Sequence, residues 1–354
     1  MEMVKMGAPR EAGAKLMGHT AKSKLIVLGV TVCFVVIAAA AILPSVLLTR
    51  NSSSSSNSAA QTANSVDGKY QTAVIAGGPI FVSSNYGVNW TAVPGASLNQ
   101  GWGAVSMSSN GMYQSALVGG GSIFISSNYG NNWTALTATN LVGQGWIAIA
   151  VSSSGNYQTA AVFNGYIYIS SDYGNNWTTT GPFRNWQAVG LSSSGQYQVA
   201  VVSGGKIFVS SYYGKNWTVT GSYQSWQAVS LSSSGQYQTA VVNGGYIYIS
   251  SNYGKNWTMT GSYQYWYAVS MSSSGQYQTA AGNQGNIYIS SNYGMNWTAV
   301  SGTNQYWGGV SVSSSGMYQT AVLSPGDIYI SSNYGVNWTA VSGTNQYWYG
   351  VSIS

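Results

Sequence analysis

The sequence predicts an all-β protein, a seven-bladed β-propeller carried behind one N-terminal transmembrane helix. Three observations predict it. A unit of about 40 residues recurs seven times, each unit holds four strand patterns separated by turn residues, and a charge-free run of 24 residues lies near the N-terminus.

Composition sets the limits. Only 5% of the 354 residues are charged, against roughly 25% in an ordinary globular chain. Glycine, serine, tyrosine and tryptophan fill the difference. The aromatic and β-branched residues can form a core, so the bias points to β-structure with many tight turns rather than to disorder. The net charge of +6 reflects topology, because Lys5, Arg10, Lys15, Lys22, Lys24 and Arg50 all lie in or beside the N-terminal segment. Beyond residue 60 there are four lysines, one arginine and three aspartates, a net of +2. No basic cluster suggests a nucleic-acid partner. The single cysteine, Cys33, lies in the apolar run, and the single histidine, His19, precedes it. The remainder can hold no disulfide, thiolate zinc site or histidine metal site, so no metal or cofactor is expected.

In chain order, residues 1–24 read as a basic cytoplasmic tail. Leu25–Leu48 follows as the span. A helix of that length reaches about 36 Å, enough for a ~30 Å hydrocarbon core with some tilt. Five basic residues precede it and only Arg50 follows closely. That places the N-terminus in the cytoplasm and the C-terminus outside or in a lumen, a type II signal-anchor arrangement. A cleaved signal peptide with Ala38–Ala41 as its small-residue site is the competing reading, but the run is too long for it. Residues 49–65 read as a serine-rich stalk.

Residues 66–354 form the repeat array. A YQ-x-A signature recurs at Tyr70, Tyr113, Tyr157, Tyr197, Tyr237, Tyr277 and Tyr318, spaced 40 to 44 residues apart, and the 14 tryptophans fall two to a repeat. In the fifth repeat Trp226–Ser232 alternates as a first strand and 233–235 turns. Gln236–Val242 is a second strand, and the turn Asn243–Gly245 leads to a third, Tyr246–Ser251. Residues 252–255 turn again, Asn256–Thr260 is a fourth strand, and Gly261–Tyr265 reads as a linker. Four short strands per repeat are the pattern of a propeller blade. The first repeat lacks its opening strand, while a spare copy, Trp348–Ser354, ends the chain. The spare strand is expected to fill the vacancy and close the ring, which leaves no exposed edge at the seam.

Between third and fourth strands each repeat carries a hairpin of the form SSNYGVNW (Ser83–Trp90) or SSDYGNNW (Ser170–Trp177), with further copies from Ser126, Ser210, Ser250, Ser290 and Ser331. These resemble the Asp box of the BNR or sialidase-type repeat propellers. The resemblance implies a hairpin whose acid binds turn amides while the tryptophan packs beneath. Only Asp172 keeps the acid. Asn85, Asn128, Asn252, Asn292 and Asn333 replace it, and Tyr212 does so in the fourth repeat. Asparagine can still make the local bond; tyrosine cannot. Sialidases of that family use three arginines and a glutamate, whereas the array holds one arginine, Arg184, and no glutamate. No enzyme is expected. The alternatives are a degenerate glycoside hydrolase, which needs two facing carboxylates from among Asp67, Asp172 and Asp327, and an assembly factor for a membrane complex.

Two other features carry chemistry. The sequon Asn-Trp-Thr occurs at Asn89, Asn132, Asn176, Asn216, Asn256, Asn296 and Asn337, and Asn51 adds another in the stalk. All eight are candidate N-glycosylation sites in a secretory lumen. The linkers hold Tyr223, Gln224, Tyr263, Gln264, Tyr265, Gln305, Tyr306, Gln346 and Tyr347, which are expected to share a face with the second-to-third-strand turns. Tyrosine beside carboxamides suits a protein or a glycan ligand, and it also suits packing between blades. The sequence therefore points to a non-catalytic, membrane-anchored interaction module, adhesin-like or lectin-like.

Overall fold

The computed structural model describes residues 70–74, 77–84, 91–95 and 100–346. The span 25–48, the stalk and the closing strand 348–354 lie outside them. Every regular element among the described residues is a β-strand.

Each repeat is an antiparallel sheet, and burial falls from its first strand to its last. In the fifth repeat the first strand is buried from Trp226 to Ser230, while Thr258 and Met259 of the last are exposed. Buried strands show no alternation because both faces are covered by neighbouring repeats. Register recurs closely: Ala228 faces Val241, as Ala104 faces Leu117, Ala148 faces Ala161 and Ala268 faces Ala281. A bulge follows the first tryptophan each time, with the extra residue after it left out of the ladder.

The structure differs from expectation at the linkers. Residues 261–265 are not a loop but part of one strand, Thr258–Met271, and the turn 243–245 lies within the strand Gln238–Ser250. The two pair directly, Asn243 with Tyr265 and Gly245 with Gln264. Turn and linker backbones satisfy each other, which removes the need for either to stay solvated.

Four kinds of contact recur between one repeat and the next. First-strand indoles donate to turn carbonyls of the preceding repeat, Trp186 to Gly165, Trp226 to Gly205 and Trp307 to Gly285, each at 3.1 Å. A backbone series runs Ser109 N to Ser153 O, then Ser193, Ser233, Ser273 and Ser314. The YQ-x-A tyrosines of the first six repeats each stack on the box tyrosine of the following repeat, as Tyr197 does on Tyr253 and Tyr237 on Tyr293, with centroids 4.4 and 4.5 Å apart. The box tyrosines sit at positive φ, 52° to 63° for Tyr129, Tyr173, Tyr213, Tyr253, Tyr293 and Tyr334. A tyrosine holds that conformation only where packing over-determines it.

The fourth contact is a buried hydroxyl donating to a glutamine Oε1 of the next repeat: Thr72 to Gln114, Ser115 to Gln158, Thr159 to Gln198, Thr239 to Gln278 and Thr279 to Gln319, at 2.6 to 2.8 Å. The fourth repeat breaks the series with Val199, and the waiting Gln238 Oε1 is buried without a partner. Val199→Thr is expected to complete it and to stabilise the protein by about 1 kcal/mol, a net buried hydrogen bond. Comparing denaturation midpoints of the two forms checks this; a loss of stability would contradict the reading.

The last described sheet packs on the first. Val322 and Ile328 share one hydrophobic cluster with Ile80, Val93 and Trp102.

Candidate functional site

The sheets have two ends, and the candidate residues divide between them. At one end the linkers pair with second-to-third-strand turns throughout: Gly121 with Gln144, Gly165 with Arg184, Gly205 with Gln224, Gly245 with Gln264, Gly285 with Gln305 and Gly326 with Gln346. The shared face read from the sequence is therefore present. Box hairpins occupy the other end.

On the linker face Tyr223 is 72% exposed, and Tyr263, Tyr265 and Tyr306 are all more than half exposed. These rings do not pack between repeats. Tyr263 and Tyr265 close over the turn of their own repeat, where a Cβ on Gly244 would lie 3.4 Å from each. Gln224 and Gln264 are half-buried, and their amides donate to the hydroxyls of Tyr248 and Tyr288 at 3.1 and 3.0 Å, so they brace the face. Gln305 is exposed, Gln346 enters through its backbone pairing, and Tyr347 lies outside the described residues.

Four further residues complete the surface. Tyr166 meets Phe183 edge-on at 5.4 Å, Tyr246 meets Tyr263 at 5.7 Å, and the Lys206 ammonium lies 5.1 Å over the Tyr223 ring. Tyr166, Lys206 and Tyr246 each follow the turn glycine of their repeat, where other repeats place Ser122, Asn286 or Asp327. That substitution pattern is visible in the sequence and marks repeats three to five as the aromatic arc. Arg184 and Lys206 supply its positive charge.

At the opposite end the box chemistry follows residue type. Asn128 Oδ1 accepts from Ser126 Oγ and from Asn132 N, both at 3.0 Å, and the Trp133 indole donates to Gly130 O at 2.8 Å. Asn252, Asn292 and Asn333 repeat the pattern. Asp172 does so more fully, since its Oδ1 accepts from Ser170 Oγ and Asn176 N while its Oδ2 accepts from Asn176 Nδ2 at 2.7 Å. Burial alone would raise the Asp172 pKa. Hydrogen bonds from Asn176, Ser170 and the Asn175 backbone outweigh it and hold the carboxyl below its ordinary 3.8. A depressed folded-state pKa contributes stability above the unfolded value that is lost as pH falls through the folded one. Asp172→Asn is therefore expected to shrink the drop in Tm between neutral pH and about pH 2. An unchanged drop would show that the box acid does not contribute.

The sequon asparagines Asn132, Asn176, Asn216, Asn256, Asn296 and Asn337 are exposed on these hairpins; Asn51 and Asn89 lie outside the described residues. Asp327 begins a third strand on the linker side, whereas Asp172 follows the end of one on the box side. Those two carboxylates sit at opposite ends of their strands, and Asp67 lies outside the described residues. Among the described residues no three His, Cys, Asp or Glu side chains are grouped to hold a metal ion.

No family model matches the chain, and no curated protein matches it. Among solved structures it is similar to YCF48 from Cyanidioschyzon merolae, with a TM-score of 0.54 at 14% identity, covering 69% of this chain and 85% of that one. YCF48 bound to a D1 peptide gives 0.53 at 13%, covering 66% and 79%. The β-propeller domain of Myceliophteria thermophila Cps50 (Swd1) gives 0.57 at 12%, covering 72% and 89%. At such identities the likeness carries the fold alone, and that fold is a β-propeller.

Proposed function

We propose that this chain is a non-catalytic interaction module whose linker face binds an extended protein segment along repeats three to five. The observation that carries the reading is the exposed arc of Tyr166, Phe183, Tyr223, Tyr246, Tyr263 and Tyr265, with Arg184 and Lys206 set among the rings. Tyrosine and arginine are the residues enriched where proteins bind proteins, and rings braced in place lose little entropy on binding. The arc crosses several repeats, which suits a chain segment better than a single small ligand. A propeller of the same fold has been solved with a peptide bound.

In this reading the propeller has seven blades and its ring is closed by Trp348–Ser354. The core shared by Ile80 and Val322 supports closure, as does the three-stranded first repeat. Leu25–Leu48 anchors the ring with its C-terminal side in a lumen or outside the cell. The exposed sequons would carry glycans on the box rim, leaving the linker face open. Absence of glutamate and histidine beyond residue 60 supports the non-catalytic part.

A peptide display library selected on the full chain in nanodiscs tests the binding face. Peptides that bind the native chain should lose roughly 30-fold or more in affinity to Tyr223→Ala/Tyr263→Ala, as truncation of two interface anchors implies. Equal binding to both forms, or no enrichment at all, would sink the proposal.

A further inference from the structure

A cleft lies on the box face, away from the linker rings. It opens between the third and fourth boxes and holds about 400 Å³, within the range of small-ligand clefts. Two adjacent boxes here depart from asparagine: Asp172 lies on one wall and Tyr212 on the other.

Tyr212 forgoes what its counterparts do. Asn128, Asn252, Asn292 and Asn333 each accept a bond from the hairpin serine and another from the backbone four residues on. A tyrosine has no carboxamide for either, and its ring turns outward, 54% exposed. Positions that break a rule kept by their equivalents are where function is to be sought.

The ring is also fixed in place. The Lys215 ammonium lies 5.2 Å over it, and Tyr213, itself stacked on Tyr157 at 4.4 Å, meets it edge-on at 6.1 Å. Thr180 of the third repeat donates to Gly214 O at 2.8 Å and ties the two walls together. Across the cleft a carboxylate offers about four acceptor positions. The box donates two bonds to Asp172 Oδ1 and one to Oδ2, and the Asn175 backbone donates to the same carboxylate, so the hairpin itself satisfies it. The Lys215 ammonium adds donors.

A flat exposed ring in a cleft lined by hydroxyls, a carboxamide, a carboxylate and an ammonium matches the needs of a sugar. Its C–H face stacks on the ring face that the Lys215 ammonium does not cover, and its hydroxyls meet Ser171, Asn176 and Thr178 in the cleft lining. One group of each sign flanks the cleft, which favours an uncharged occupant. The geometry points to a carbohydrate subsite here, taking one neutral pyranose with Tyr212 as its stacking platform. This site is separate from the linker face and does not depend on it.

The test uses the full chain made in a bacterial host, so that no sugar on Asn176 fills the cleft, in a detergent without a sugar headgroup. Saturation-transfer NMR is run with the methyl glycosides of glucose, galactose, mannose and N-acetylglucosamine. At least one should show transfer, and Tyr212→Asn should weaken it at least tenfold. That variant restores the box residue of the other repeats, so loss of binding is not loss of folding. Tyr223→Ala on the linker face should leave the signal unchanged, which separates failure of this site from failure of the linker face. Absence of transfer to all four glycosides, or undiminished transfer in Tyr212→Asn, would overturn the assignment.

Discussion

Trp226→Ala is expected to lower stability by about 4 kcal/mol, the range for removing a large aromatic from a core. Trp226 is 1% exposed and meets Tyr248 edge-on at 5.0 Å. Its indole donates to Gly205 O of the preceding repeat at 3.1 Å and to Ser222 O at 3.3 Å. Truncation therefore opens a cavity within one repeat and removes a tie between two. The outer tryptophan of the same repeat, Trp257, is only half-buried, so Trp257→Ala should lose less. Chemical denaturation of the two variants beside the native chain decides this. Equal losses would mean that the inner indole is no more important than the outer one.

Gly235→Ala is expected to be nearly as damaging, at about 3 kcal/mol, from two sources. Gly235 has φ of 78°, where a Cβ is strained by about 1–2 kcal/mol. The added Cβ would also lie 2.6 Å from the Tyr197 Cβ of the preceding repeat. Tyr197 cannot retreat, because its ring is stacked on Tyr253 at 4.4 Å. Overpacking of this kind costs about 1–3 kcal/mol. Gly204→Ala separates the two sources. It shares a positive φ, 63°, but a Cβ there meets nothing within 4 Å. It should lose only the backbone part, about 1–2 kcal/mol. If both variants lose the same amount, the interlock at Tyr197 contributes nothing.

The strands and box hairpins were legible because their signals are local. WQAVSL and QTAVV declare buried strands, and serine, asparagine and glycine declare the turns between them. The linkers were not legible. Residues 261–265 contain glycine, serine and glutamine and read as a loop, since the partner that makes them a strand, Gly245, lies in another hairpin. The tyrosine stacks were hidden for a different reason. Both tyrosines recur in every complete repeat, but nothing local says that Tyr197 meets Tyr253 across a seam, and a tyrosine at positive φ runs against its own preference. At the candidate site Tyr223, Tyr263, Tyr265 and Tyr306 stood out as aromatic linkers. Their neighbours Tyr166, Phe183 and Tyr246 did not, because they resemble ordinary solvent-side strand residues. Tyr212 read as a lapse in the box, when its place on the wall of a cleft depends on Asp172 one repeat earlier.

The tyrosine stack recurs at each described seam, from Tyr70–Tyr129 to Tyr277–Tyr334, while the indole and glutamine bonds recur at most of them. Each repeat therefore presents a plug on one flank and a similar socket on the other, and the fit distinguishes one repeat from the next only weakly. Such a head-to-tail interface has two fates, a ring where the rotation closes and a filament where it does not. In the closed ring proposed above, every plug would be used. A chain opened at any seam exposes one of each, complementary to those of a second opened copy. Given the closure proposed above, the same contacts are expected to direct an opened form toward ordered, concentration-dependent polymers rather than amorphous precipitate.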